Sequence, residues 1–340
     1  MTKAITLKAP VELGFVPTQA KFVGSLVPEE TGMLPRAASG KLVVVEAVEA
    51  VMERSRVAIS AVQIPVFPGT ADGQWDGMIS DLKALGVDVQ LVIMMAGVDP
   101  MNPADEDSTV SQLLVPLEAA KRNGVRHVSA TSVEAWMQKG ATRKEGAEFD
   151  AAVAQLVKVH LRAYREAGLE GSSVESWSVE FLRPGEFRTF TDLGRLWTFI
   201  KAANQELGHP FFRCLVDAAH CGDSALDIPE NEKLIAEIAA EGGLGVMHAS
   251  AKTTRGCLST DDGWVAALFA AAARTGKLQQ AFVEMFHHED PALEALRDLD
   301  SGHGVDTCDG RDYTQVVADG LESVARMLNN YVSRGWMPSK

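Results

Sequence analysis

Four residues in the second half of this sequence can each donate to a hard metal ion, and each lies at the C-terminal end of a short apolar run. Glu180 belongs to residues 176–182 (SWSVEFL), Asp217 to 211–217 (FFRCLVD), His248 to 244–248 (LGVMH) and Glu284 to 281–286 (AFVEMF). An ionised side chain closing a buried strand is expensive to desolvate unless an opposite charge meets it, and one divalent cation would meet all four. Three carboxylates and an imidazole suit Mn2+, with Mg2+ or Co2+ as alternatives. A structural zinc would favour thiolates and a closed tetrahedron. Any one of these residues alone reads as a salt-bridge partner or a satisfied core histidine; a metal is implied by the four in one register.

Such a site requires elements whose ends converge. Four further strand candidates precede those runs, at residues 11–16 (VELGFV), 57–64 (VAISAVQI), 88–96 (DVQLVIMMA) and 126–132 (RHVSATS). Helical periodicity fills the intervals, as in Leu196, Phe199, Ile200 and Ala203, then Leu234, Ile235 and Ile238. Asp227 with Pro229 marks one helix start and Asp261 with Asp262 another, while Gly242 and Gly243 mark a stop. Eight β–α repeats with nearly continuous apolar strands predict a closed (β/α)8 TIM barrel, whose strand C-termini share one mouth. A doubly wound open sheet is the competitor. No G-x-G-x-x-G follows the first strand to support it.

Composition is compatible with one α/β domain spanning residues 1–340. The chain has 340 residues, 46% of them hydrophobic and 23% charged. A TIM barrel takes ~250 residues, which leaves roughly 90 for extended βα loops. These are expected near 19–40, 97–108 and 287–312, with residues 1–10 as an N-terminal tail. The formal charge of −14 argues against nucleic acid, because phosphate binding needs basic stripes. No apolar run is long enough to span a membrane. Cys214, Cys221, Cys257 and Cys308 show no C-x-x-C pairing and no signal peptide precedes them, so a cytoplasmic location is expected.

The residues around the four ligands also carry a family likeness. Residues 179–187 (VEFLRPGEF), the tetrad Asp217-Ala218-Ala219-His220, His248 with Arg255 downstream, and Val283-Glu284 resemble the xylose isomerase-like TIM-barrel superfamily, especially its ketose 3-epimerases. The resemblance covers about residues 176–290. It implies that Glu180, Asp217, His248 and Glu284 bind one divalent metal and that Glu180 and Glu284 act as acid and base on a sugar. It further implies substrate contacts from Glu186, His220 and Arg255. Two positions depart from the pattern. Arg183-Pro184-Gly185-Glu186 stands where the family has Asn-Arg-Phe-Glu, and no acid follows His248 in Ala249-Ser250-Ala251-Lys252.

Lys252 therefore puts a cation where that family carries an acid, and it is a candidate to steady an enolate or a substrate carboxylate. The chemistry expected is proton abstraction next to a carbonyl, giving an enediolate. Reprotonation yields a sugar epimerase or isomerase. Expulsion of a β leaving group would instead make a lyase on 3-keto-glycosides, as in the superfamily's C-glycoside deglycosidase catalytic subunits. The expected ligand is a small sugar or sugar glycoside. The expected assembly is a homo-oligomer, or a hetero-oligomer with a small partner subunit.

Other residues read less sharply. His287 and His288 follow the eighth run and could supply a base at the mouth, with His303 a weaker candidate. His127 faces either the lumen or a helix. Arg143 and Lys144 in residues 139–148 (KGATRKEGAE) could clamp a phosphate, although mixed charge of this kind marks a solvated loop or helix start. Met94, Met95 and Trp197 read as core, and no nucleophile elbow or Walker motif occurs. The stripe Leu321, Val324, Leu328 and Tyr331 fits either a second chain or the barrel's own outer layer.

Overall fold

Eight parallel strands close on themselves in sequence order in the computed structural model, which describes residues 5–17, 26–252 and 254–340. They are β1 (Glu12–Val16), β2 (Ala61–Val66), β3 (Asp88–Ile93), β4 (His127–Ala130), β5 (Ser176–Val179), β6 (Phe212–Asp217), β7 (Leu244–Ala249) and β8 (Gln280–Glu284). β8 returns to β1 in a register running from Glu12 opposite Gln280 to Val16 opposite Glu284. Among the described residues ten helices accompany them: α1 (Val43–Arg54), α2 (Gln74–Ala84), α3 (Glu106–Arg122), α4 (Ala147–Glu166), α5 (Leu193–Leu207), α6 (Ala218–Asp223), α7 (Ile228–Ala240), α8 (Trp264–Arg274), α9 (Glu294–Leu299) and α10 (Tyr313–Ser333). This is the expected TIM barrel.

Strand alternation divides the core in two. Trp177, Val179, Phe212, Cys214, Val216, Met247 and Ala249 join the large apolar layer between strands and helices. Val16, Ala61, Leu215, Val246 and Phe282 form a separate cluster, which alternation places inside the lumen. Gly14 permits that filling, because a Cβ there would lie 2.8 Å from the Phe282 ring and closer still to the Ala61 carbonyl.

Sequence signals set several helix ends. Asp227 and Glu230 form a reciprocal capping box at α7, and the Asp192 and Asp312 side chains cap α5 and α10. Gly263 caps α8, with the Asp261 carboxylate accepting from the Gly263 and Val265 N–H groups.

Four expectations need correction. The second strand runs from Ala61 to Val66, not over 57–64, because Val57 instead forms an isolated bridge with Ile5. Residues 5–10 are not a loose tail. The Lys8 N–H donates to Asn329 Oδ1 at 2.7 Å, the Lys340 N–H donates to the Lys8 carbonyl, and Ala9 is buried. The stretch 287–312 contains α9 and short helical turns, and residues 97–108 already include the start of α3. Of the loop expected at 19–40, residues 19–25 lie outside the described residues.

The C-terminal stripe serves the barrel itself. Leu321, Val324, Leu328 and Tyr331 are all buried, and Gly320 lets α10 approach Val283 and Met285. The Tyr331 hydroxyl donates to the Ala266 carbonyl of α8 at 2.8 Å. All four cysteines are free thiols, and among the described residues no helix is long and apolar enough to cross a membrane.

Candidate metal centre

The four proposed ligands share the inward parity of their strands. Asp217 follows the lumen residue Leu215 by two positions, His248 follows Val246, and Glu284 follows Phe282. Glu180 stands just beyond β5 and donates its N–H to the Ala130 carbonyl of β4, which prolongs the ladder by one bond. All four therefore face the axis at the C-terminal mouth. One donor atom from each lies within 4.8 Å of all the others. His248 Nδ1 is 3.5 Å from Glu284 Oε2, 3.8 Å from Glu180 Oε1 and 3.8 Å from Asp217 Oδ2. Oxygen and nitrogen donors ~2.1 Å from one ion stand roughly 3–4 Å apart, so the set fits a single divalent cation.

The electrostatics point the same way. Glu180 Oε1, Asp217 Oδ2 and His248 Nδ1 are buried and make no hydrogen bond. Burial, then the charges of Glu284 and Asp217, drives the Glu180 carboxyl well above the usual carboxylate range. Burial and Glu284 push Asp217 up to about 7, against the pull of Arg255 and His248. For His248 burial opposes protonation, yet Glu284 and Asp217 outweigh it and raise the pKa. Buried carboxylates crowded without a counter-charge are costly, and a cation at the shared point removes that cost. Asp217 Oδ1 is held separately, accepting the His220 N–H at 2.7 Å as the cap of α6.

The expected substrate-side residues gather around this cluster. His220 Nε2 is 3.4 Å from Glu180 Oε1, and burial, together with Arg255 and Arg183, holds its pKa well below the usual value. Glu186 is buried; it accepts from Arg183 Nε at 3.0 Å and from Trp136 Nε1 at 3.1 Å. Trp136 itself is 50% exposed. Arg255 adopts a left-handed backbone with φ of 53° and lies 3.9 Å from Asp217 Oδ1. Non-glycine residues in that region are strained and concentrate at functional sites. Half-buried Lys252 lies along Gly222, with Nζ 5.4 Å from the Trp264 ring centroid.

Gln63 and Arg183 carry no role in the sequence reading, and His303 stands there only as a weaker candidate base. Gln63 of β2 crosses the lumen to His248, its Oε1 2.6 Å from His248 Nε2. Its only signal was a polar residue at inward parity in an apolar run. Arg183, noted as a departure from the family pattern, is buried and ion-pairs with Glu186 and Asp300. His303 is buried against Phe286, and burial and Arg255 lower its pKa to about 3.

The remaining histidines and cations have other places. His127 faces the lumen as the first residue of β4, at the end opposite the mouth, with Nδ1 2.9 Å from Ser176 Oγ. His287 packs edge-on against Tyr313, and His288 Nδ1 donates to the His303 carbonyl. Neither belongs to the four-residue cluster. Arg143 pairs with Glu145 and Asp192, and the Lys144 N–H donates to Thr189 Oγ1, so this stretch joins two loops.

Comparison with known proteins places this architecture. No protein-family model matches the chain, and no curated protein matches it in sequence. Among solved structures, an L-ribulose 3-epimerase superposes with a TM-score of 0.68 at 17% identity, covering 96% of this chain and 97% of the other. A sugar phosphate isomerase/epimerase, so named as a putative assignment, from Anabaena variabilis gives 0.71 at 14% identity, covering 93% and 99%. An IOLI protein solved with a zinc atom gives 0.56 at 12%, covering 95% and 99%. The structural neighbours thus include a ketose 3-epimerase and a sugar phosphate isomerase/epimerase. At these identities the likeness establishes a shared TIM-barrel fold.

Proposed function

We propose that this protein is a divalent-metal-dependent enzyme that enolises a keto-sugar and acts as an epimerase or isomerase. The observation that carries the reading is the convergence of Glu180, Asp217, His248 and Glu284, the first three with buried donor atoms that make no hydrogen bond, at the mouth of a barrel whose structural neighbours include sugar epimerases and isomerases. Mn2+ is the proposed ion, with Mg2+ and Co2+ as alternatives. A divalent ion held by these four groups supplies Lewis acidity for a carbonyl and its neighbouring hydroxyl. The zinc-bound neighbour supports a divalent metal in this fold.

In the proposed chemistry Glu180 and Glu284 work on the proton α to the carbonyl. One carboxylate takes it and the other returns a proton to the opposite face, which inverts the centre; return to the adjacent carbon moves the carbonyl. Glu186, His220 and Arg255 hold sugar hydroxyls, and Lys252 supplies positive charge nearby. Arg183 fixes Glu186 and thereby the loop that carries it.

The test is solvent exchange. In D2O with Mn2+, a true substrate among free ketoses acquires deuterium at the α carbon together with a changed stereocentre or carbonyl position, and chelation stops both. Absence of exchange from every ketose and 3-keto-glycoside supplied would overturn the reading. Release of an aglycone from a 3-keto-glycoside would redirect it to elimination. The two neighbours with a named activity are an epimerase and an isomerase/epimerase, which favours reprotonation over elimination. The cluster is also complete within one chain, so nothing in it calls for a partner subunit.

A further inference from the structure

We propose that Gln63 is a positioning residue that fixes the tautomer of His248 and so sets the affinity of the metal centre. This rests on the metal reading above and adds a residue outside the ligand set. A neutral imidazole carries one N–H and one lone pair, and the hydrogen bond made by one nitrogen decides which form the other takes. For Nδ1 of His248 to face the three carboxylates with a lone pair, the proton must sit on Nε2. Inside the barrel Nε2 then needs an acceptor.

Gln63 provides it from across the lumen. β2 and β7 are not neighbours in the barrel, so the contact exists only because this side chain spans the interior. Gln63 is fully buried, with Oε1 2.6 Å from His248 Nε2 and Nε2 donating to Ser129 Oγ of β4 at 2.8 Å. In the structure the carboxamide places its NH2 on Ser129 and its oxygen on His248. Turned the other way, its NH2 would meet Nε2 and drive the proton onto Nδ1, aimed at Glu284, Glu180 and Asp217. The lone pair would be lost to the metal. A glutamine serving only to fill the lumen would be replaceable by any side chain of similar volume.

Mn2+ titration of the full chain, followed by the electron paramagnetic resonance signal of free ion, tests this without reference to turnover. Gln63→Met, close in volume but without an acceptor, should weaken Mn2+ binding by roughly 10–100-fold. Gln63→Glu restores an acceptor and should stay within a few-fold of wild type. Ser129→Ala should give a smaller loss in the same direction. Spectra of 15N-histidine in the Mg2+-loaded wild type should show His248 protonated at Nε2 alone, which keeps the test open if Gln63→Met fails to fold. Wild-type affinity in a folded Gln63→Met would overturn the proposal and leave the metal centre standing, whereas a proton on Nδ1 would overturn it and remove His248 from the ligands. Failure of the wild type to bind Mn2+ would remove both.

Discussion

Arg183 and Arg255, from the loops after β5 and β7, meet on a single oxygen. Oδ2 of Asp223 lies 3.8 Å from Arg183 Nη1 and 2.5 Å from Arg255 Nη2. Both guanidiniums are buried, so this carboxylate carries much of the compensation for two desolvated cations beside the proposed substrate site. Asp223→Asn should destabilise the fold by about 2–4 kcal/mol in urea unfolding. That is below the range for a fully buried pair, because the Asp223 side chain is 24% exposed. A change under ~0.5 kcal/mol would show that Asp300 and Glu186 suffice.

Metal removal should be visible as lost stability. A ligand that binds only the folded state at 100 times its Kd adds about 2.7 kcal/mol, roughly 4 °C in Tm for a chain of this size. Chelation of the protein as purified should lower Tm by about that amount, and added Mn2+ should restore it. A Tm indifferent to chelator and ion, with no metal found by elemental analysis, would remove the proposed centre.

Glu186→Gln and His220→Ala should separate ligands from substrate contacts. Each should retain close to one metal per chain while lowering kcat/KM by 10-fold or more, on the order of 1.4 kcal/mol of transition-state stabilisation. Loss of metal from either would place that residue among the ligands.

The interior histidine of α4 predicts a pH dependence of stability. His160 Nδ1 donates to the Leu156 carbonyl at 2.8 Å, and its Nε2 accepts from Ser132 Oγ at 2.7 Å, so the neutral ring is satisfied. Burial lowers its pKa from 6.5 to about 4. Between those values the unfolded chain binds the proton and the folded chain does not. The stabilisation is therefore whole above pH 6.5 and is lost as the pH falls toward 4, by about 3 kcal/mol. The wild-type advantage over His160→Gln, measured by urea unfolding, should shrink across that window. An advantage independent of pH would refute the assignment.

The barrel and its metal candidates were legible because both obey short periods. Strands of period two put Asp217, His248 and Glu284 on the lumen side of β6, β7 and β8, and an acid at such a place stands out in an apolar run. Strand two was misplaced because Val57, Ala58 and Ile59 extend the apolar run ahead of the ladder. Proline lacks only one donor, and the ladder continues through Pro65 to Val66. Gln63 could not be given a role in advance, since its partner lies 185 residues away, and Arg183 joins the nearby Glu186 to Asp300, 117 residues further on. Hydrophobic patterning carries no information about such polar pairings. The α10 stripe was equally ambiguous, because an amphipathic helix presents the same face to its own barrel as to a second chain.

Closure of the ring by β1 and β8 also orders events during synthesis. Gln280 donates to the Glu12 carboxylate across 268 residues, so the ring can close only when nearly all of the chain has emerged. Glu284 arrives on that final strand, and until it docks the other three proposed ligands form an incomplete set. A nascent or truncated chain ending before β8 would thus expose Glu180, Asp217 and His248 without their fourth partner. Acquisition of the proposed ion would then be a late checkpoint, coupled to the same step that seals the barrel.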